Sequence, residues 1–66
     1  METTTQLILN MYEDAKASKR MLTEIIKKPH FEFIYKPGEQ ESLKQLNSST
    51  ILKIDSLKSV IKNINQ

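Results

Sequence analysis

His30 is the one histidine of the chain, and Glu32 stands two residues beyond it, a pairing that suggests metal ligation or acid–base work. A catalytic zinc needs three protein ligands and a structural zinc four. With no cysteine and no second histidine to complete such a set, His30 reads as a solvated histidine in the turn after Pro29. Serines are plentiful, but a nucleophilic triad needs a base oriented by a third group and a cleft that excludes water. Glu13-Asp14 and Glu39 with Glu41 are carboxylate pairs set among lysines, which suits solvated helix surfaces better than a general acid and base. A single glycine rules out a glycine-rich phosphate loop. No catalytic, cofactor-binding or metal-ligating residue is assigned, no cofactor is expected, and the chain is not expected to be an enzyme.

Two other groups of residues carry binding chemistry. Lys16, Lys19, Arg20, Lys27 and Lys28 form a basic strip with the aromatic residues Phe31, Phe33 and Tyr35 close behind it. Cations that neutralise phosphates beside rings that stack on bases are how single-stranded nucleic acid is held. The strip is interrupted by Glu13, Asp14, Glu24 and Glu32 and holds the chain's one arginine. It lacks helix-turn-helix spacing and an RNP-like run, so a solvated face is preferred and nucleic-acid binding is the alternative. Mixed charge on the same face argues against a helix lying on a membrane. Phe31, Phe33 and Tyr35 alternate with Glu32, Ile34 and Lys36; in an extended segment the three rings point one way and make a single patch.

These residues must be positioned by two helical patterns. From about residue 5 to 28, Ile8, Met11, Ala15, Ser18, Leu22 and Ile25 recur at intervals of 3 and 4, the rhythm of a helix seam. Tyr12 and Ile26 widen this stripe. Thr3 with Gln6 fits a capping box, Glu2 and Lys27-Lys28 suit the two ends of the macrodipole, and Pro29 disfavours helix at Lys28. Residues 29–38 are expected to form an extended aromatic connector closed by a Pro37-Gly38 turn. From about 39 to 64 a second stripe runs through Leu43, Asn47, Thr50, Ile54, Leu57, Ile61 and Ile64. Leu46, Ile51 and Val60 broaden it, and Gly38 is an acceptable cap. Asn47-Ser48-Ser49-Thr50 are four poor helix formers in a row, which predicts a kink near 47–50. The alternative is an α+β fold in which Thr50–Asp55 pairs with Phe31–Lys36 as a small two-stranded hairpin. The unbroken stripe to Ile64 favours helix.

The chain has 66 residues, ten basic and eight acidic side chains, and a hydrophobic fraction of 38%, below the roughly 45–50% usual for globular domains. It is read as one small domain, 1–66. The longest apolar runs are three residues (Leu7-Ile8-Leu9 and Phe33-Ile34-Tyr35), so no membrane span is expected. Without cysteines or a signal-like N-terminus, a soluble protein of a reducing, cytoplasmic compartment is expected. Below about 70–80 residues a single core rarely supplies more than about 3–5 kcal/mol, and association is the remaining source of stability. The expected architecture is all-α: a hairpin of two long helices that dimerises into a four-helix bundle. Self-association is assigned to Leu22, Ile25, Ile54, Leu57, Ile61 and Ile64. The expected function is stoichiometric binding of a larger protein as a regulator, inhibitor or adaptor, with Phe31, Phe33 and Tyr35 as anchors. A structural subunit of a larger assembly is a further alternative.

Overall fold

Where Pro29 removes one backbone donor and Pro37 another, the chain turns; on either side it is helical. The structure, a computed structural model, describes Glu2–Ile64, and of Glu2 the backbone alone. Its elements are α1 (Glu2–Lys27), α2 (Phe31–Ile34) and α3 (Pro37–Ile64), with no strand among the described residues. The two long helices make a rod of 48 × 15 × 14 Å. They run antiparallel: Leu22 of α1 shares a groove with Leu46 of α3, whereas Ala15 packs with Ile54 and Leu57.

The pairing follows from the stripes. Ala15, Ile54 and Leu57 form a buried cluster with Ile8 and Tyr12 packed against it, and Leu22 and Phe31 are buried nearer the connector. Among the described residues no large side chain is completely enclosed. Two helices side by side cover one face each, and the rest of a wide stripe stays in water.

The connector is not extended. After α1 the backbone winds through one more turn, with the Phe31 N–H donating to Lys28 O (3.0 Å), Ile34 to His30 O (2.9 Å) and Tyr35 to Phe31 O (3.1 Å). A lone strand leaves its donors and acceptors without a ladder, whereas a helical turn satisfies them locally. Thr50–Asp55 lies inside α3, so the two-stranded alternative has neither of its strands. The period of two at Phe31–Lys36 was a true pattern in the residues and a wrong guide to the backbone.

Both long helices begin earlier than the spacing predicts. Thr3 lies within α1 and is no cap; the Gln6 amide instead donates to Asn10 Oδ1 at 3.0 Å. The dipole role expected of the Glu2 side chain lies outside the described residues. Helix α3 starts at Pro37, with Gly38 inside its first turn rather than capping it. Proline at the first helical position leaves no orphan N–H there. The Lys36 N–H donates to Glu39 Oε1 at 3.0 Å, which is the carboxylate half of a capping box. Gln40 ties the connector down, its Nε2 donating to Tyr35 O (2.7 Å) and Glu32 O (3.3 Å). Helix α3 runs unbroken through Asn47-Ser48-Ser49-Thr50. Thr50 turns its hydroxyl onto Leu46 O at 2.8 Å, a local bond that lets a polar side chain be buried within a helix.

Candidate functional site

The aromatic run is divided by the turn of α2. Phe31 is 5% exposed, its ring 5.4 Å from that of Tyr35 and 5.9 Å from Lys44 Nζ. Phe33 points away at 87% exposure, near His30 at 6.4 Å between centroids. Residues two apart in a helix diverge by about 200°, whereas in a strand they align. The single patch of three rings is therefore replaced by one core ring, one half-buried neighbour and one bare ring.

The residues assigned to self-association are divided as well. Leu22, Ile54 and Leu57 are buried between α1 and α3; Ile25 and Ile61 are half-buried, and Ile64 is exposed. What lies open is the row beside them. Ser18, Leu22, Leu46, Ser49, Thr50 and Lys53 line a groove of about 330 Å³. It adjoins a second, of about 220 Å³, lined by Ser18, Met21, Leu22, Ile25 and Leu46. These grooves place Ser18, Met21 and Ile25 on the same side of the hairpin as Leu46 and Lys53.

The row extends along both helices. Asp14, Met11 and Leu7 precede Ser18 at intervals of 4, 3 and 4 residues. On α3, Leu46, Lys53 and Val60 recur every seven residues and Ile64 follows four beyond, with the buried Thr50 and Leu57 at the inner edge of the row. Residues so spaced share a helix face. The face carries Met21, Ile25 and Leu46 toward the connector and Leu7, Met11, Val60 and Ile64 toward the open end. Between these apolar ends lie Asp14, Ser18, Ser49 and Lys53. Met21 is 66% exposed, Leu7 57% and Leu46 53%. The stripes omit Leu7, Asp14, Met21 and Lys53, although each stands one position before a seam residue: Ile8, Ala15, Leu22 and Ile54.

The cations of the basic strip stay on the surface. Lys16 Nζ lies 3.1 Å from Glu13 Oε2 and 4.6 Å above the Tyr12 ring; Lys19, Arg20, Lys27 and Lys28 are exposed. Near the connector, Tyr35, Lys36, Gly38, Glu39, Ser42 and Leu43 border an open hollow of about 590 Å³. There the Glu39 carboxylate already accepts the Lys36 N–H. No group of three or more His, Asp or Glu side chains among the described residues is placed to hold a metal ion. No helix of the described residues is long and apolar enough to cross a membrane. No family model, curated protein or solved structure matches the chain.

Proposed function

We propose that this chain is a non-enzymatic protein–protein interaction module that acts stoichiometrically on a larger protein, as a regulator, inhibitor or adaptor. The observation that carries the reading is the open row of Leu7, Met11, Met21, Leu46, Val60 and Ile64 on one side of the hairpin. Exposed apolar side chains grouped on one face mark interaction sites, and burying them yields about 25 cal/mol per Å². Helix faces with anchors at such spacings dock into apolar grooves or against other helices. A four-helix bundle of two hairpins is the self-associated form of the same docking. Phe33, bare at the connector end, offers one further aromatic anchor.

Two lysines on the open face, in a Met21→Lys plus Val60→Lys variant, test the reading. Both positions are exposed, so the variant is expected to keep its helical circular dichroism. The immobilised wild-type chain should retain specific proteins from a host extract, itself included, that the variant releases. Identical proteins on both would overturn the role of the face.

A further inference from the structure

We propose that the occupant of this face is a second copy of the chain, docked about a twofold axis parallel to the hairpin's long axis. The two connectors then lie at the same end, and Asp14 of each protomer faces the partner's Lys53. The proposal rests on the docking role given to this face above and deepens it: the second copy fills the face, and the larger protein is met by the dimer, with Phe33 exposed at the connector.

A symmetric face-to-face dimer has its twofold axis in the plane of contact. For a rod-shaped face the axis lies either along the rod or across it. An axis across the rod lays α1 on the partner's α1 with its direction reversed. Asp14 and Lys53 both sit near the middle of the rod: Ala15, next to Asp14, packs against Ile54, next to Lys53. That arrangement therefore opposes Asp14 to Asp14 and Lys53 to Lys53. An axis along the rod lays α1 on the partner's α3 and keeps every level. Leu7 and Met11 then meet the partner's Val60 and Ile64, Met21 and Ile25 meet its Leu46, and Asp14 meets its Lys53.

Charge selects the second arrangement. Like charges directly opposed suppress an association, and opposite charges fix its register. Among the described residues the ion pair that forms within the chain is Lys16 with Glu13, and the side chains of Asp14 and Lys53 are exposed on the open face. A polar layer between apolar ones also sets register in helical assemblies, at some loss of stability. The size of the face suits a dimer. Its outline of 48 by 15 Å, roughly 700 Å², compares with the about 800 Å² that each partner contributes to a standard interface.

Sedimentation and native mass spectrometry of Asp14→Lys and Lys53→Asp chains test the arrangement. Each variant alone places two like-charge contacts in the dimer. Its dissociation constant should rise about 100-fold, tenfold per contact. An equimolar mixture restores both contacts as attractive pairs, so heterodimers should form with near wild-type affinity. They should recover helicity as well if either variant unfolds alone. A spin label at Glu32→Cys, in a chain with no other cysteine, reads the polarity independently. Connectors at one end put the labels about 20–25 Å apart, two helix diameters, and connectors at opposite ends put them near the 48 Å length of the rod. Labels at the long distance, or variants that dimerise like the wild type, would overturn this arrangement. So would a wild-type chain that stays monomeric at ~100 µM, where a dimer with a micromolar dissociation constant is mostly formed. If Met21→Lys abolishes association while charge reversal does nothing, docking through the face survives without this geometry. If Met21→Lys is also inert, both are lost.

Discussion

At the scale of the residue, Phe31 and Phe33 look interchangeable in the sequence and have opposite environments in the fold. Removing a buried ring leaves a cavity, and Phe31→Ala is expected to destabilise the protein by about 3–5 kcal/mol, enough to unfold a chain of this size. Phe33→Ala removes a ring that is already in water, and its effect on stability should stay within about 0.5 kcal/mol. If Phe33 anchors a partner, the same variant loses about 2 kcal/mol or more of binding. Thermal melts of the two variants, set beside binding titrations, separate these roles; equal shifts in melting temperature would refute the division. The lysines make a second residue-scale case. With Lys16 held by Glu13, DNA or RNA at about 150 mM salt should bind no tighter than the non-specific range of about 10⁻⁴–10⁻⁶ M. Submicromolar binding that Lys19→Glu with Arg20→Glu abolishes would favour the basic strip instead.

At the scale of the element, the start of α3 concentrates several local effects within four residues. Gly38 sits inside the helix, and a Cβ added there meets nothing within 4 Å. Gly38→Ala should therefore stabilise the protein by about 0.5–1 kcal/mol through backbone entropy. Glu39→Ala removes the acceptor of the Lys36 N–H and should destabilise by up to about 1 kcal/mol. Denaturant midpoints that move in opposite directions for these two variants would verify the cap; movement in one direction would disprove it. Farther along, Asn47 Oδ1 is buried without a hydrogen-bond partner, a loss of about 1–3 kcal/mol relative to a satisfied or apolar group. Asn47→Leu should raise the melting temperature, and a lower one would show that the amide contributes more than its geometry indicates.

At the scale of the whole molecule, stability and association are one question. The hairpin buries Ala15, Leu22, Phe31, Ile54 and Leu57 as its apolar core, a small set for a chain that must offset the entropy of ordering about 1–2 kcal/mol per residue. If the open face is covered by a second copy, the melting temperature must rise with concentration, because association stabilises the folded form by mass action. Melting that does not change between about 5 and 500 µM, a hundredfold range in concentration, would count against coverage by a second copy. Met21→Lys should remove any such dependence while Lys19→Glu, on the far side of α1, leaves it intact.

The sequence by itself determined the two long helices, their antiparallel pairing and the seam through Ala15, Leu22, Ile54 and Leu57. These depend on a helical repeat sustained over more than twenty residues and on a connector too short for anything but a hairpin. Local pattern was weaker where the segment was short. Phe31–Tyr35 alternates as a strand does, yet with no second strand to pair with, its backbone closed hydrogen bonds within one turn. That choice belonged to the rest of the fold, and with it went the fate of each ring. The open face was half visible: Leu46 and Val60 stood out as extra width, but width alone does not say which flank faces the neighbour. Only the packing of α1 on α3 decided which flank of the seam stays open, leaving Met21 in water beside the enclosed Leu22, since one residue's step turns a helix by about 100°. The same packing brought Asp14 level with Lys53 across 38 intervening residues, because a level along a hairpin is fixed by the register of two helices and by neither helix alone.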